Sequence, residues 1–282
     1  MKKEKANNEA MLEYIILNGK IKSTNEINPM EIAKKLPIYE VVKIKEGAAL
    51  YIEEHIGRMK KSAELMGVKL EMDDIEIKEH IKRLIEANGE HNMNVKLLAS
   101  NFTDEGFDFA AYFIKSFYPP VNMYEEGIHT ILYRSERENP HAKVVNIEQR
   151  EGINRKREKE AAFEAILVNE KGYLTEGSRS NIFFVKDSKV HTPPSGDVLL
   201  GITRKKVLEI CCENEIGVEE HEIPVESIKE YDGAFITGTS INVLPVATID
   251  DMKLHSTTNE VVKLLVEKMN ENVSEYIKSC KL

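Results

Sequence analysis

The sequence predicts an α+β protein built from two domains, and three observations lead to this prediction. Its 282 residues exceed a single minimal domain. Strand-like runs alternate with amphipathic helices in the first part, whereas short β-like runs dominate the second. Between the parts, Pro119-Pro120 fits neither a helix interior nor the middle of a sheet. We therefore predict a small N-terminal α/β domain over residues 1–118, a linker over 119–125 and a larger C-terminal domain over 126–282.

The first part is predicted to contain two hairpins and two helices. The runs "YIILNGKI" and "YEVVKIKEGAALYI" are typical of strand pairs joined at Asn18-Gly19 and at Lys45-Glu46-Gly47. In "EEHIGRMKKSAELMG", apolar residues recur at helical spacing and Gly67 closes the helix. The segment "DDIEIKEHIKRLIEANG" opens on acidic residues and ends at Gly89, which predicts a second helix. Two further strand-like runs, "NVKLLAS" and "FAAYFIKSF", complete this part.

The second part is predicted to be rich in short strands. The strand-like runs are "HTILY", "EAILVN", "NIFFVKDSKVHTPP" and "GAFITGTS". The segments "TRKKVLEICCENEIG" and "STTNEVVKLLVEKMNENVSEYIK" are typical of helices, and in the latter Thr257 and Glu260 have capping-box spacing. In the former, we expect Cys211 and Cys212 to pack as small apolar residues.

Charge and composition exclude several classes of function. The net charge is −9 and no run of basic residues outweighs it, so no nucleic-acid surface is expected. No apolar stretch approaches the ~20 residues of a membrane span. The three cysteines, two of them adjacent, form neither a disulfide framework nor a Cys-x-x-Cys metal site. We therefore expect a cytoplasmic protein with no metal ligands among its site residues.

Lys143 stands out in the stretch "PHAKVVN", between a proline and an apolar pair. A strand lysine that points at water is the simpler interpretation. A lysine amine can instead act as a nucleophile, because burial or a nearby cation readily lowers the pKa of a lysine. The stretch by itself leaves both interpretations open.

Three segments are candidates for binding an anion. In "LLGITRKKVLEI", the backbone N–H groups of Ile202 and Thr203 and the Thr203 hydroxyl can form a phosphate cradle, although Thr203 as a plain N-cap explains the pattern equally well. In "FITGTSINVLP", hydroxyl residues and Gly238 either let the backbone approach a ligand or make an ordinary turn. Arg58 lies on the inward face of a predicted helix, where most arginines extend their charged end to solvent or pair with a surface acid. Each segment taken singly favours the purely structural interpretation.

Glu176 closes a short strand in "YLTEGSRSNIFFV", just before Gly177-Ser178. A solvated turn glutamate is the simplest interpretation. A carboxylate at a strand end can instead keep a heteroaromatic nitrogen protonated, because a nearby negative charge stabilises the cation. Both interpretations stay open at this point.

Together these segments resemble the class IV aminotransferases, which are the fold-type IV pyridoxal-phosphate enzymes. That family includes branched-chain and D-amino-acid aminotransferases and aminodeoxychorismate lyase. The resemblance rests on "YEVVKIKEGAALYIEEHIGRMKKSAELMG", "AKVVN", "EAILVNEKGYLTEGSRSNIFFVKD", "LLGITRKKV" and "FITGTSINVLPV", which follow the family order and cover most of the chain. It implies a two-domain fold whose larger domain holds a mixed β pseudo-barrel, a pyridoxal 5'-phosphate cofactor and a homodimer.

The resemblance also implies a role for each matching residue. Lys143 would form the Schiff base with the cofactor and carry the substrate α-proton, and Glu176 would pair with the pyridine nitrogen. Tyr39 and Glu40 match an aromatic-glutamate pair on an active-site strand, and Ser240 would offer its backbone near the substrate carboxylate. The residues expected to hold the rest of the cofactor, chiefly its phosphate, are Arg58, Ser178, Ile202, Thr203 and Thr239.

The segments that select the substrate depart from the family pattern. Lys34-Lys35-Leu36-Pro37 replaces the usual glycine-aspartate-glycine turn before Tyr39. The strand "NVKLLASNF" lacks the arginine and histidine with which D-amino-acid aminotransferases bind a carboxylate. Arg179, inside the serine turn, is either a substitute substrate contact or a solvent-facing arginine. The cofactor residues are therefore complete, whereas the choice between branched-chain and D-amino acids stays open.

We therefore predict an enzyme that moves an amino group between an amino acid and a 2-oxo acid. One alternative is a lyase acting on aminodeoxychorismate, which uses the same Lys143 but eliminates pyruvate. Another is a non-catalytic relative that only binds the cofactor. Retention of both Lys143 and Glu176 argues against the non-catalytic relative, because binding alone does not require both.

Overall fold

The computed structural model describes residues 9–33, 35, 37–137, 139–144 and 147–280, and its backbone divides into two compact units. The first unit groups Met1–Phe117, Ala142–Val145 and Glu275–Leu282, and the second groups Tyr118–His141 and Asn146–Ser274. Each unit contains helices and a large sheet, which confirms the predicted α+β class. The limits of the predicted domains and linker stay a prediction. Lys34 and Leu36, in the segment that replaces the glycine turn, lie outside the described residues.

The first unit is built on a six-stranded sheet. Its strands are β1 (Tyr14–Leu17), β2 (Lys20–Ser23), β3 (Ile38–Lys45), β4 (Ala48–Ala49), β5 (Asn94–Thr103) and β6 (Gly106–Phe113). The order across the sheet is β2-β1-β6-β5-β3-β4, and neighbouring strands are antiparallel. Every second residue of β3 is buried, so one face of this strand is committed to the core.

Both predicted hairpins are confirmed, and the turn residues explain them. Asn18 and Gly19 have φ of 46° and 74°, the conformation of a two-residue turn that follows the twist of its strands. Glu46 and Gly47 have φ of 51° and 81° between β3 and β4. Asparagine and glycine adopt positive φ more readily than other residues, so the first turn is specified locally.

Helices α1 (Pro29–Ile32), α2 (Ile52–Leu65) and α3 (Asp74–Asn88) complete this part of the chain. The buried apolar residues include Ile56, Met59 and Ala63 in α2 and Ile77, Ile81 and Leu84 in α3. They share one core with the sheet, as their helical spacing predicts. The α3 helix starts where the Asp73 side chain accepts a hydrogen bond from Ile75 N (2.7 Å), and it ends at Gly89, with φ of 63°.

The second unit contains a ten-stranded mixed sheet. Its strands are β7 (Ile128–Arg134), β8 (Glu164–Val168), β9 (Tyr173–Gly177), β10 (Asn181–Lys186), β11 (Lys189–Thr192), β12 (Val218–Glu220), β13 (Ile223–Pro224), β14 (Gly233–Gly238), β15 (Asn242–Ile249) and β16 (Met252–Lys253). The order is β12-β11-β10-β14-β15-β7-β8-β9-β13, with β16 paired to β15. The pairs β11–β12, β15–β7 and β7–β8 are parallel, which gives the mixed sheet that the resemblance implied.

The remaining helices are α4 (Val121–Glu126), α5 (Ile147–Lys159), α6 (Ile202–Glu213) and α7 (Glu260–Cys280). The short α4 helix occupies part of the predicted linker. Among the described residues, no helix combines the length and the apolar character needed to cross a membrane.

The start of α7 differs from the predicted capping box. The Asn259 side chain accepts hydrogen bonds from the backbone N–H groups of Val261 (3.0 Å) and Val262 (3.1 Å). Asn259 is therefore the N-cap, and the prediction that Thr257 caps this helix is wrong. Asparagine is as strong a cap as threonine, so the spacing rule selected the wrong one of two nearby candidates.

The adjacent cysteines of α6 lie in different environments. Cys211 is buried and Cys212 is exposed, because consecutive helical residues point about 100° apart. The prediction of apolar packing is right for Cys211 and wrong for Cys212. Burial raises the pKa of the Cys211 thiol to about 12.

Candidate active site

Lys143 is held against strand β3 in the first unit. The Tyr39 N–H donates to Lys143 O (3.1 Å), and Val144 forms an antiparallel bridge with Ile38. The Lys143 N–H donates to Ser62 Oγ of α2 (3.2 Å). The Lys143 Nζ lies 5.0 Å from the centroid of the Tyr39 ring. The backbone of Lys143 is thus fixed by both β3 and α2, and its amine lies beside an aromatic ring.

Glu40 is a fully buried carboxylate on the next position of β3, which faces the opposite side of the strand from Tyr39. Arg58 of α2 binds it twice, through Nε to Oε1 and through Nη2 to Oε2, each at 2.7 Å. His55 Nδ1 lies 2.7 Å from Glu40 Oε2. Arg58 therefore pairs with a buried acid instead of the surface acid that is usual for such a residue. His55 and Arg58 reach the same carboxylate because residues three apart share one helix face.

The pKa values of Glu40 and His55 are both shifted by their surroundings in this cluster. Burial by itself raises the pKa of Glu40, but the charge of Arg58 and hydrogen bonds from Arg58 and His55 lower it far below its usual range. Burial lowers the pKa of His55, assisted by the charges of Arg58 and Lys143 and opposed by Glu40. At neutral pH Glu40 is therefore ionised and His55 is neutral, so His55 donates its Nδ1–H to Glu40.

Tyr39 also lies near a second lysine, which the sequence reasoning missed. Lys96 of β5 is 2% exposed, and its Nζ lies 5.1 Å from the Tyr39 ring centroid. The same Nζ lies 2.6 Å from Glu9 Oε2. A lysine inside the apolar run "NVKLLAS" was the available indication, because such a position requires a buried partner. The Tyr39 ring is therefore close to the amino groups of two lysines.

In the second unit, Glu176 of β9 is buried and has a partner on each oxygen. Arg137 Nε lies 2.8 Å from Oε1, and the Leu199 N–H donates to Oε2 (3.2 Å). Arg137 also donates from Nη2 to Ser178 O (3.1 Å). Glu176 is therefore not a solvated turn glutamate. The sequence did not indicate Arg137, because it lies in an irregular segment 41 residues before Ser178.

The serine turn after β9 is organised by Glu164, another residue that the sequence reasoning missed. Glu164 Oε1 accepts from Ser178 Oγ (2.6 Å), and Oε2 accepts from Ser180 Oγ (2.9 Å) and from the Arg179 N–H (3.2 Å). Burial raises the pKa of Glu164, although hydrogen bonds from both serines and from the backbone oppose the shift. A glutamate at the head of the apolar run "EAILV" was the available indication. The side chain of Arg179 is exposed, and its substrate role stays a prediction.

The α6 helix begins with backbone donors and no side-chain cap. Gly201 is the N-cap residue and supplies no side-chain oxygen to the N–H groups of Ile202 and Thr203. Thr203 is the second residue of the helix, which excludes its interpretation as a plain N-cap. Both Ile202 and Thr203 are buried. The positive end of a helix with this geometry attracts an anion.

Gly201 also makes a close approach that explains why it is glycine. A Cβ at this position would overlap Asn181 Oδ1. Asn181 Nδ2 donates to Leu199 O (2.8 Å), and the Leu199 N–H is the donor that reaches Glu176. The start of α6 and the buried carboxylate are therefore connected through Asn181 and Leu199.

We expect Gly201→Ala to destabilise the protein by about 1–3 kcal/mol, because the added methyl group overpacks this contact. Urea unfolding followed by circular dichroism measures the change. Gly196→Ala is the matched control, since a Cβ at Gly196 meets no atom within 4 Å. Equal stability of the two variants would contradict the assigned role of Gly201.

Strand β14 places a further hydroxyl group, that of Thr237, opposite Asn181. Thr237 is 1% exposed, and its Oγ1 has no hydrogen-bond partner among the described residues. Thr237 is paired with Asn181 across β14 and β10, and Thr239 and Ser240 follow where β14 ends. A buried hydroxyl without a partner indicates a missing polar group. Together with the uncapped helix start, it fits a phosphate-bearing ligand.

Comparison with known proteins identifies an enzyme of the aminotransferase class. The chain belongs to the class IV aminotransferases, because the sequence model of the family described as "Amino-transferase class IV" matches residues 37–249. The match contains every candidate residue from Tyr39 to Ser240. The family identified from the sequence is thereby confirmed.

Known proteins are similar to the chain over most of its length. The D-alanine aminotransferase of Bacillus licheniformis is 31% identical over 229 residues, which cover 78% of this chain and 81% of that protein. A "Probable branched-chain-amino-acid aminotransferase" of Rickettsia conorii is 28% identical over 225 residues, covering 76% and 77%. The solved branched-chain aminotransferase of Thermoproteus uzoniensis, crystallised with norvaline, has a TM-score of 0.80 at 22% identity, covering 93% of this chain and 95% of its own. This structural likeness confirms the fold.

Proposed function

We propose that this aminotransferase uses pyridoxal 5'-phosphate and that Lys143 is its catalytic lysine. The observation that carries the proposal is the way Lys143 is held. Its backbone is bonded to Tyr39 and Ser62, and its amine lies 5.0 Å from the Tyr39 ring centroid. A fixed backbone limits the positions that the amine can reach, which favours one bond-forming geometry.

Groups that suit parts of this cofactor are present among the described residues. In the second unit, Ile202, Thr203 and Thr239 would bind the phosphate, and Glu176 would accept a hydrogen bond from the pyridine nitrogen. The uncapped start of α6 supports this assignment, as does the buried Thr237 hydroxyl, which has no hydrogen-bond partner in the described part of the chain. Ser178 would act from the turn organised by Glu164. In the first unit, Arg58 would add a charge to the phosphate, with Glu40 and His55 fixing its orientation.

Pyridoxal phosphate supplies an aldehyde that bonds to an amine and a ring that withdraws electrons from the substrate α-carbon. The Lys143 amine would hold the cofactor through its aldehyde and would carry the proton to and from the substrate Cα. The Glu176 carboxylate would favour a protonated ring nitrogen, because a nearby negative charge stabilises the cation. The start of α6 and Arg58 would bind the phosphate without exchanging a proton.

Glu176→Gln should lower kcat/KM for amino-group transfer by about 10- to 150-fold, the effect of losing a charge-assisted hydrogen bond of about 1.5–3 kcal/mol. The measurement is a coupled assay with saturating cofactor. Glu213→Gln, an exposed change at the end of α6, should leave the rate unchanged. Activity of Glu176→Gln within twofold of the parent would contradict the proposed role.

We propose that the substrates are an amino acid and a 2-oxo acid, with either branched-chain or D-amino acids preferred. Exposed Arg179, with Tyr39 and Ser240, would contribute to this choice. The deciding experiment supplies D-alanine or L-leucine with 2-oxoglutarate and measures glutamate. If the protein forms no glutamate but releases pyruvate from aminodeoxychorismate, the lyase alternative replaces this proposal.

We also propose that the protein is a cytoplasmic homodimer. The family resemblance supports the dimer, and the exposed, unpaired Cys212 and Cys280 support a reducing compartment. Light scattering on the purified chain should give twice the mass of one chain. A monomer at micromolar concentration would contradict the dimer.

A further inference from the structure

Three potential metal ligands meet at one edge of the sheet in the second unit. They are His191 of β11, Glu219 of β12 and His221, which directly follows β12. The two strands are parallel, with His191 opposite Glu219, and β12 is the last strand on this side of the sheet. The His221 N–H donates to Thr192 O (3.1 Å), which holds His221 beside β11. None of the three residues has a role in the proposed amino-group transfer.

The distances within this cluster suit a metal ion. His191 Nδ1 lies 3.1 Å from His221 Nε2 and 3.7 Å from Glu219 Oε2. The three ligand atoms all lie within 4.8 Å of one another. A tetrahedral zinc ion with bonds of about 2.0–2.1 Å keeps neighbouring ligand atoms about 3.3 Å apart. The two shorter observed distances bracket that value, so little movement is needed to bind an ion.

The ring of His221 is oriented as a metal ligand requires. Its Nδ1 lies 3.0 Å from Glu222 O, so the Nδ1–H donates to this carbonyl. The neutral ring then carries its lone pair on Nε2, the atom that faces His191. Metal-binding histidines commonly have such a backbone acceptor on the other ring nitrogen.

The Glu219 carboxylate is also held in place by a neighbouring side chain. Lys189 Nζ donates to Glu219 Oε1 (2.8 Å). Lys189 therefore occupies one carboxylate oxygen, whereas the other faces His191. Tyr231 closes one side, with its ring centroid 5.5 Å from that of His191.

We propose that His191, Glu219 and His221 bind one divalent transition-metal cation of the zinc type. Two imidazole nitrogens and one carboxylate oxygen form a ligand set that suits zinc. The Glu219 side chain is 48% exposed, so water completes the coordination. The ion joins β12, the terminal strand, to β11 and thereby stabilises this edge of the sheet.

The test measures zinc binding directly, without relying on enzyme activity. Zinc chloride is titrated into the purified full-length protein in competition with a colorimetric chelator, and thermal unfolding is recorded with and without zinc. The parent for all variants carries Cys212→Ser and Cys280→Ser, because both thiols are exposed and can bind zinc themselves. We expect one zinc per chain and a higher unfolding temperature with zinc.

Ligand removal identifies the site. Glu219→Gln and His221→Gln should each weaken zinc binding at least about 10-fold and abolish the thermal shift. Both side chains are partly or largely exposed, so these variants should fold, which circular dichroism checks. His255→Gln changes an exposed histidine of the same unit outside the cluster and should bind zinc like the parent.

Two results would overturn the proposal. One is folded parent protein that binds no zinc at about 100 μM, a concentration far above the Kd of a protein zinc site. The other is zinc binding that survives both ligand substitutions unchanged. In either case the contact between the two imidazoles is a hydrogen bond and nothing more.

Discussion

Lys143→Ala should lower the rate of amino-group transfer by at least about 10³-fold, because in the proposed mechanism one side chain supplies both the bond to the cofactor and the proton transfer at the substrate α-carbon. The backbone bonds of Lys143 to Tyr39 and Ser62 do not involve its side chain, so the variant should keep the fold. The rate is measured with saturating cofactor and with the best substrate pair found for the parent enzyme.

The control for this substitution is Lys82→Ala, which removes an exposed lysine of α3 in the same unit. It should keep the parent rate. Reduction of the parent protein with borohydride, followed by peptide mapping, should place the cofactor label on Lys143. A label on another lysine, or Lys143→Ala activity within tenfold of the parent, would refute the proposed catalytic role.

Glu40→Ala should lower the free energy of unfolding by about 3–5 kcal/mol, the cost of leaving one member of a buried ion pair without its partner. Glu40 is fully buried and binds Arg58 through two bonds of 2.7 Å, so the substitution leaves the Arg58 guanidinium without its carboxylate. Urea unfolding at pH 7 measures the change.

A double variant separates the ion pair from the cavity that alanine creates. Glu40→Leu combined with Arg58→Met removes both charges and restores apolar volume, so it should be more stable than Glu40→Ala. It should nevertheless lose affinity for the cofactor, because Arg58 is a proposed phosphate ligand. Glu86→Ala, an exposed change on α3, should leave stability unchanged. A double variant as unstable as the single one would exclude the ion pair as the cause.

The Glu40 carboxylate also makes the stability of the protein depend on pH, in a direction that its pKa shift defines. The pKa of Glu40 is lower in the folded protein than in the unfolded chain, where it is about 4.3. The unfolded chain therefore binds the proton first, and Glu40 contributes stability above about pH 4.3 that is lost as the pH falls further. The lowered pKa of His55 acts in the same direction, beginning near its usual value of about 6.5. Glu40→Ala should show a weaker loss of stability below pH 4.3 than the parent, in urea unfolding at several pH values.

Turns and helices were predictable where their conformation depends on residues that lie close together in the sequence. The turn at Asn18-Gly19 and the end of α3 at Gly89 depend on φ values that glycine and asparagine tolerate. The helical spacing in α2 and α3 predicted their buried faces correctly. The cap of α7 was mispredicted, because Thr257 and Asn259 are both competent caps and the choice between them depends on where the chain leaves the preceding turn.

The candidate site was predictable only in part. The sequence around Lys143, Glu176 and Thr203 could not decide between a catalytic and a structural interpretation of these residues. The resemblance to a family supplied their expected roles. The partners of the polar residues near the site could not be inferred from the sequence. Glu40 pairs with Arg58 across 18 residues, and Ser178 bonds to Glu164 across 14. Such pairs form because the fold places a strand or its following turn beside a helix or another strand.

The sequence by itself determined the family, the hairpin turns, the main helices and the residues available for chemistry, since these depend on motif order and on neighbours a few residues apart. Only the tertiary structure decided which polar side chains meet: Arg137 with Glu176, Glu40 with His55 and Arg58, and His191 with His221. The physical reason is strand register and helix rotation. The two histidines lie 30 residues apart, and the parallel pairing of β11 with β12 brings their ring nitrogens together.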